Sequence, residues 1–500
     1  MKQPHHRACT NDGGYFTNAQ HEQRRGYPKL RRAAGVGVAL ATKRPDSRKE
    51  EFMRTPIVDF VNKYAAKDTA RLHMPGHKGV SFLGCEKMDI TEIRGADELY
   101  DAEGIIAESE ANAGKLFGFG KTIYGTEGSS QCIRTMLFLA LQGAERTEKR
   151  PVVLAARNAH KAFLYSCALM DLEVEWLMPE EGERSSLCTC PITAKQVEQK
   201  FSEMKQKPFA VYITAPDYLG YSPDIKALAE VCKKADIPLL VDNAHGAYLK
   251  FLQPSKHPID LGASMSCDSA HKTLPVLTGG AYLHLSEEWA KTAGHQAKKA
   301  MEIFGSTSPS YLIMQSLDRC NAYLADGYPE KLAETIEKVA AVKTFLQKQG
   351  WEVMDGDPLK LTIFTGKMGY TGEEAAETLR KTGVECEFAD LDAVVLMVTP
   401  ENTDRDFEKV LSALGSLQKK TGIKAVQMPL ILPERKMNIR EAIFSQWEEV
   451  DCEDAVGRIC ASPCVSCPPA IPIAASGEEI TAEMAELFKA YGIEKIEVVK

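Results

Sequence analysis

The sequence predicts an α/β protein built on a mostly parallel sheet, with helices on both faces. Between residues 150 and 270, short apolar runs typical of buried strands alternate with longer segments of helical periodicity. Such alternation favours parallel strands connected by crossover helices. After about residue 300 the pattern changes to long helices and isolated strands, which indicates smaller α+β domains.

Two patterns of apolar residues predict the individual helices and strands. Apolar residues at helical spacing predict helices, and short apolar runs predict strands. The predicted helices cover 56–66, 105–116, 131–141, 163–170, 194–204, 225–235 and 332–349. The predicted strands cover 152–155, 174–177, 210–214, 239–241, 265–267, 360–365 and 393–398.

A length of 500 residues predicts several domains. Residues 1–52 are basic and lack hydrophobic periodicity, so we expect a disordered tail or a start site placed too early, with Met53 as the natural first residue. An export signal at Arg31-Arg32 is disfavoured because the apolar run that follows is short. The remaining predicted segments are a major domain over 53–300, a small α+β domain over 301–424 and a C-terminal tail domain over 425–500.

The composition is that of an ordinary globular protein, with 44% hydrophobic and 26% charged residues. The net charge of −8 gives no indication of a nucleic-acid partner, and no apolar stretch approaches the roughly 18 residues of a membrane span. The 14 cysteines are scattered, which is typical of reduced thiols in a cytoplasmic protein. Cys460, Cys464 and Cys467 have the spacing of an iron–sulfur cluster loop, but no barrel pattern surrounds them, so we predict no metal site.

A lysine and an aspartate carry the functional prediction. The apolar run 237–241 ends in Asp242, which is typical of a buried strand whose C-terminal end delivers a carboxylate to a ligand site. Downstream, Lys272 follows a small and polar run and lies on no obvious amphipathic helix. A pyridoxal phosphate enzyme needs both groups, because a lysine amine holds the cofactor aldehyde as a Schiff base and a carboxylate keeps the pyridinium nitrogen protonated.

A cluster of glycine and hydroxyl residues, Gly125–Gln131, opens a predicted helix. Backbone N–H groups there, with Gly128 and the hydroxyls of Ser129 and Ser130, suit the cofactor phosphate, although an ordinary helix cap explains the same residues. The nearby Gly120-Lys121-Thr122 ends like a nucleotide-binding P-loop. Position 115 is lysine where that loop needs its first glycine, so we exclude nucleotide binding here.

Two histidines are candidates for the cofactor ring. His160 follows the predicted strand 152–155, so it either stacks on the ring or is a structural histidine at a strand end. His245 comes shortly after Asp242 and either lies near the same ring or bonds to the carboxylate, with a turn histidine as the alternative.

The order of the motifs resembles the Orn/Lys/Arg decarboxylase family, in its shorter Gram-positive type without an N-terminal wing domain. The resemblance covers the chain from about residue 53 to the end. It includes the tail segments Pro468-Pro469 and Gly477-Glu478-Glu479, although Ala470 stands where a glycine often follows the prolines. The four motifs that carry it are His73-Met74-Pro75-Gly76-His77-Lys78-Gly79, Arg157-Asn158-Ala159-His160-Lys161, Asp242-Asn243-Ala244-His245-Gly246 and Ser269-Ala270-His271-Lys272.

This resemblance implies a fold type I (aspartate aminotransferase-like) major domain with pyridoxal phosphate as its cofactor. Lys272 would be the Schiff-base lysine, Asp242 the pyridinium partner and His160 the stacking residue. Family members are at least homodimers that share active sites between subunits. The residues implied to contact the phosphate are Ser129, Ser130, Ser269, His271 and, from the partner subunit, a residue of the Ser306–Ser310 loop such as Ser308.

The implied reaction is α-decarboxylation of arginine, lysine or ornithine to an amine that feeds polyamine synthesis, with Lys272 or His271 returning the proton. The sequence leaves the amino acid open, and Asp97, Glu98 and Glu127 are candidates for its distal cationic group. Two alternatives remain. Another fold type I enzyme, an aminotransferase or β-eliminating lyase, would keep the same lysine and aspartate, and a non-catalytic regulator would share only the fold.

Overall fold

The computed structural model of the chain describes residues 53–145, 148–180, 187–423, 432–462 and 471–500. All of them lie in one compact unit, Glu50–Lys500. The predictions for 1–52, for Cys464 and Cys467, and for Pro468-Pro469 with Ala470 fall outside the described residues.

Helices and strands alternate through the first part of the chain, as the sequence predicts. The helices of the described residues are α1 (Pro56–Ala65), α2 (Ile105–Phe117), α3 (Gly128–Gly143), α4 (Lys161–Met170), α5 (Ala194–Glu203), α6 (Ile225–Lys234), α7 (Ala270–Thr273), α8 (Glu287–Thr292), α9 (Ala297–Ile303), α10 (Tyr311–Ala325), α11 (Tyr328–Lys348), α12 (Gly372–Lys381), α13 (Asp404–Ser416), α14 (Ile439–Phe444) and α15 (Ala482–Ala490). The strands are β1 (Lys121–Gly125), β2 (Val152–Ala156), β3 (Glu173–Leu177), β4 (Ala210–Thr214), β5 (Leu239–Asp242), β6 (Met265–Asp268), β7 (Ala281–Leu285), β8 (Glu352–Val353), β9 (Lys360–Phe364), β10 (Phe388–Ala389), β11 (Ala393–Met397), β12 (Trp447–Asp451) and β13 (Lys495–Val499).

The central sheet has seven strands in the order β1-β7-β6-β5-β4-β2-β3. Strands β3, β2, β4, β5 and β6 run parallel, whereas β7 lies antiparallel between β6 and β1. Helices α4, α5 and α6 make crossovers between the parallel strands. The register pairs Thr214 with Asp242 and Asp242 with Cys267, so the C-terminal ends of three strands meet at one edge. The predicted α/β class is confirmed.

Strands β1 and β7 were not predicted from the sequence. Each mixes small, aromatic and polar residues, with His284 inside β7, so neither shows the apolar run that marks a buried strand. Both are nevertheless almost fully buried because helix α3 packs across them. Tertiary packing therefore overrides a weak local pattern at this side of the sheet.

A second, antiparallel sheet of four strands, β10-β11-β9-β8, follows helix α11. Helices α11, α12 and α13 pack against it around their own apolar core. Strand β9 also contacts the loop after β4: Lys360 Nζ donates to the carbonyl of Asp217 and Thr362 Oγ1 to that of Leu219, both at 2.7 Å. This contact seats the small sheet beside the C-terminal edge of the central sheet.

The described part of the tail contributes α14, α15 and the two-stranded antiparallel sheet β12-β13. Arg157, directly after β2, forms a buried ion pair with Glu478 of the tail, with Nη1–Oε1 at 2.5 Å and Nη2–Oε2 at 2.7 Å. Tail and central sheet therefore share a core, and the domain boundaries at residues 300 and 424 stay predictions. Among the described residues, no helix has the length and apolar character needed to cross a membrane.

Candidate active site

Asp242 lies at the C-terminal end of β5, where the apolar strand predicted it, and is 2% exposed. Its Oδ2 accepts a hydrogen bond from the Tyr212 hydroxyl at 3.1 Å. Its Oδ1 accepts from the Cys267 thiol at 3.5 Å and from the backbone N–H of Ala244 at 3.2 Å. The carboxylate is thus held by donors from β4, β6 and its own turn, as a buried charge requires.

Lys272 lies in the short helix α7, and its Nζ is 2.9 Å from His245 Nε2. Burial lowers the pKa of Lys272, while the charges of Asp242 and Glu387 oppose that shift. Burial also holds the pKa of His245 well below its usual value, and the charges of Lys360 and Lys272 add to this effect. The pair therefore brings an imidazole against an amine, and burial disfavours the charged form of both groups.

His160 is the N-cap of α4, and its Nδ1 accepts the backbone N–H of Ala162 at 3.1 Å. Burial lowers the pKa of His160, and the charges of Asp242 and Lys272 also act on it, the first raising and the second lowering the pKa. His160 is therefore a structural cap after a strand and also lies near Asp242 and Lys272. The structure brings His160, His245, Asp242 and Lys272 together at one edge of the sheet.

The first turn of α3 holds Gly128, Ser129 and Ser130, all partly buried. The residue before it, Glu127, makes no side-chain cap bond, so the ordinary cap interpretation is not met. Gly128 has φ of +67°, a conformation that side chains rarely adopt, and its N–H donates to the Gly279 carbonyl at 2.8 Å. An uncapped N-terminus of a 16-residue helix is suited to an anion.

Two further candidates flank Lys272. Ser269 is the N-cap of α7, is 1% exposed and makes no side-chain cap bond there. His271 Nδ1 lies 3.0 Å from the Gly280 carbonyl oxygen, and burial lowers the pKa of His271. That contact leaves Nε2 as the ring nitrogen of His271 that can serve a ligand.

The Ser306–Ser310 loop lies near the phosphate candidates of its own chain. The Ser306 N–H donates to Glu127 Oε1 at 2.6 Å, and the Ser308 N–H donates to Ser306 Oγ at 3.1 Å. Ser308 is exposed. Its predicted contact with the phosphate of a partner subunit stays a prediction.

The carboxylates predicted for a cationic substrate group are partly committed elsewhere. Asp97 accepts backbone N–H groups of Glu103, Gly104, Ile106 and Ala107 at 2.8–3.3 Å, so it organises the start of α2. Glu127 accepts the Ser306 N–H through its Oε1. Glu98 is exposed.

Glu387 is an acidic residue near the site that the sequence analysis missed. It lies just before β10 in the small sheet and is exposed, and its Oε1 accepts the Tyr218 hydroxyl at 2.7 Å. The edge of the Tyr218 ring faces His245, with ring centroids 5.1 Å apart. Only the contact of the small sheet with the loop after β4 brings Glu387 here, and no local pattern indicates such a contact.

A second buried cluster lies behind the site. Asp268 accepts hydrogen bonds from His257 Nε2, His284 Nε2 and Asn243 Nδ2 at 2.7–3.3 Å. The donors of this cluster already bond to the carboxylate, so we interpret it as a structural network of hydrogen bonds. Cys460 is buried, and the other two cysteines of its motif lie outside the described residues.

The residues at the sheet edge fit a pyridoxal phosphate. Among the described residues, His245 Nδ1 and Thr126 Oγ1 are buried without a hydrogen-bond partner, one beside Lys272 and the other just before the first turn of α3. Both atoms can therefore bond to a ligand. The donor set matches the cofactor: an amine for its aldehyde, a carboxylate for its ring nitrogen and a helix N-terminus for its phosphate.

Comparison with known proteins agrees with this chemistry. Residues 55–354 match the model of the Orn/Lys/Arg decarboxylase major domain. The chain is 29% identical over 466 residues to an arginine decarboxylase of Halalkalibacterium halodurans, covering 87% of this chain and 92% of that protein. It is 26% identical to an arginine decarboxylase of Bacillus subtilis, covering 87% of this chain and 93% of that one.

Solved structures show the same fold. The constitutive lysine decarboxylase of Escherichia coli superposes with a TM-score of 0.73 at 18% identity, covering 90% of this chain and 82% of that one. The lysine decarboxylase of Francisella novicida superposes with a TM-score of 0.74 at 17% identity, covering 90% and 81% of the two chains.

Proposed function

The chain belongs to the Orn/Lys/Arg decarboxylase family, and from this premise we propose that it removes the α-carboxylate of arginine. It is a pyridoxal phosphate-dependent decarboxylase of a basic amino acid. Arginine is our choice among the basic amino acids because relatives that span almost the whole chain are named arginine decarboxylases. The amine product would then be a precursor for polyamine synthesis.

We assign the cofactor contacts to residues of this chain. When bound, pyridoxal phosphate supplies an aldehyde that captures the substrate amine and a ring that accepts the electrons released with carbon dioxide. Lys272 would hold the aldehyde, Asp242 the ring nitrogen and His160 one face of the ring. The residues assigned to the phosphate and its surroundings are Gly128, Ser129, Ser130, Ser269, His271 and, across a subunit interface, Ser308.

Lys272 is also our candidate for returning a proton to the substrate carbon. Its Nζ lies 2.9 Å from His245 Nε2, and burial lowers the pKa of Lys272, which favours loss of a proton from Nζ. His271 is the less suited donor: with its proton on Nδ1, bonded to the Gly280 carbonyl, the neutral ring offers Nε2 only as an acceptor.

The observation that carries the choice of a cationic substrate is the position of Glu387. One oxygen of Glu387 is oriented by the Tyr218 hydroxyl at 2.7 Å, and the Tyr218 ring lies against that of His245, the partner of Lys272. The charge of Glu387 also raises the pKa of Lys272. A carboxylate held in this way is suited to pair with a guanidinium group. We therefore assign Glu387 to the distal end of the substrate.

Self-association is part of the proposal. Leu72, Phe82 and Leu83 are 94%, 77% and 89% exposed in the loop that contains the His73–Gly79 motif. Glu86 fixes this loop by accepting the backbone N–H of Phe82 at 2.8 Å and that of Gly84 at 2.9 Å. An ordered loop with several exposed large apolar side chains is typical of a surface that a second subunit covers.

Product analysis tests the proposal directly. Protein loaded with pyridoxal phosphate should release carbon dioxide and the matching amine from arginine, and more slowly from lysine or ornithine. Glu387→Gln should raise KM for arginine about tenfold or more, because a hydrogen bond to a charged group is lost. Glu385→Gln is the matched control, since Glu385 is exposed and pairs with Arg380. Release of carbon dioxide from none of the three amino acids would contradict the function, and equal KM values in the two variants would contradict the role of Glu387.

A further inference from the structure

Two neutral donors from neighbouring strands converge on the carboxylate of Asp242. Tyr212 on β4 pairs with Leu240 in the sheet register, so its side chain and that of Asp242 project from the same face. The Tyr212 hydroxyl reaches Oδ2 at 3.1 Å, and the Cys267 thiol, directly across from Asp242 on β6, reaches Oδ1 at 3.5 Å. Each oxygen is therefore bonded from a different strand, which fixes the plane of the carboxylate.

Both donors keep their protons. Burial raises the pKa of Tyr212 well above its usual value, and the nearby charge of Asp242 raises it further. The same two causes raise the pKa of Cys267. A phenol and a thiol with raised pKa values are protonated at neutral pH and act as hydrogen-bond donors to the carboxylate.

Tyr212 also connects Asp242 to the helix that begins at His160. The ring of Tyr212 stacks on that of Phe163, with centroids 4.4 Å apart and planes inclined by 27°. Phe163 lies in the first turn of α4, and His160 is the N-cap of that helix. One pair of stacked rings thus connects Asp242 to the helix that begins at His160.

We propose that Tyr212 is a positioning residue. Its hydroxyl orients Asp242 toward the cofactor ring nitrogen, and its phenol ring connects Asp242 to the helix that places His160 over the face of the cofactor ring. The inference rests on the proposed roles of Asp242 and His160. It predicts that the hydroxyl of Tyr212 matters for the bound cofactor and far less for the folded apo protein, since Tyr212→Phe retains the stacked ring and removes one neutral donor.

The test compares Tyr212→Phe with Tyr248→Phe. Tyr248 is a matched control because it is also fully buried and its hydroxyl donates to a carboxylate, that of Asp357, at 2.6 Å. For Tyr212→Phe we expect about tenfold weaker binding of pyridoxal phosphate, a reduced circular dichroism signal of the bound cofactor, and kcat reduced about tenfold with KM little changed. Tyr248→Phe should alter thermal stability without these three changes.

Equal cofactor affinity, dichroism and kcat in Tyr212→Phe and wild-type protein would overturn the proposal. Asp242→Ala, measured in parallel, separates this result from a failure of the proposed function: normal cofactor binding and turnover in that variant would remove the role of Asp242 itself. Should Tyr212→Phe give no folded protein, Phe163→Leu keeps the hydroxyl and removes the ring beneath it. It should weaken cofactor binding in the same direction, and unchanged binding there would equally overturn the proposal.

Discussion

The cofactor site and the Arg157–Glu478 pair are both buried and charged, yet they differ in what stands opposite the buried cation. Arg157 is 1% exposed and donates two bonds to Glu478, and the Trp176 ring covers the guanidinium with 4.8 Å to the centroid. Glu478 also accepts the Ala475 N–H at 2.7 Å. At the site, by contrast, Lys272 Nζ lies 2.9 Å from an imidazole nitrogen, His245 Nε2.

This difference separates a structural ion pair from a ligand site. A buried pair with matched geometry holds two segments together, because removing either member leaves an uncompensated charge. A buried amine that faces an imidazole in place of a counter-ion, and whose pKa is lowered, costs stability, and this chain gains a cofactor site from it. Substitutions in the two regions should therefore affect different properties.

The largest expected effect is at Lys272. Lys272→Ala should abolish turnover and the visible absorbance band of the lysine-bound cofactor. The apo protein should unfold at a temperature no lower than that of wild type, because the variant removes a buried amine whose charged form is disfavoured. Turnover and absorbance at saturating cofactor, with thermal unfolding of the apo form, check this. A retained band that borohydride fixes onto another lysine would contradict the assignment.

Asp242→Ala should have the second-largest effect. Its kcat should fall by about 10²–10³-fold, since a preorganised charge near the reacting group is lost. Cofactor should still attach to Lys272, with an affinity no higher than in Tyr212→Phe. Comparing kcat with the cofactor dissociation constant distinguishes a catalytic loss from a binding loss. Near-normal kcat would show that Asp242 is another structural carboxylate, like Glu478.

Glu478→Gln should lower stability and leave activity largely unchanged, the opposite of the variants at Lys272 and Asp242. Loss of the charge leaves Arg157 buried without its counter-ion, so the free energy of unfolding should fall by about 3–5 kcal/mol. Turnover per folded molecule should stay close to that of wild type. Glu479→Gln is the control: Glu479 pairs at 3.4 Å with the partly exposed Lys436, so a change within about 1 kcal/mol is expected. Equal stability of the two variants in chemical denaturation would contradict the comparison.

Sequence reasoning reached the site where the chemistry is encoded locally. Asp242 ends an apolar strand and Lys272 follows a small polar run, and both motifs lie as predicted at one sheet edge. It missed Glu387 and the pairing of Arg157 with Glu478, because these contacts join segments that are far apart in sequence and depend on how separate sheets pack. Asp97 was selected by charge alone, whereas the structure shows its oxygens committed to backbone N–H groups.

The smallest expected effect is a shift in the pH dependence of cofactor attachment to Lys272 when the charge of Glu387 is removed. Covalent attachment of pyridoxal phosphate to the apo protein requires the neutral amine, so the attachment rate should rise with pH and level off once Lys272 is deprotonated. Burial lowers the pKa of Lys272 and the carboxylate of Glu387 opposes that shift. The midpoint should therefore lie below about 10.4, the ordinary lysine value. Glu387→Gln removes the opposing charge and should move the midpoint to lower pH, whereas Glu385→Gln should leave it in place. A midpoint at the ordinary value, or one that Glu387→Gln raises, would show that the amine is solvated like a surface lysine. The site would then lack the desolvated amine that distinguishes it from the Arg157–Glu478 pair.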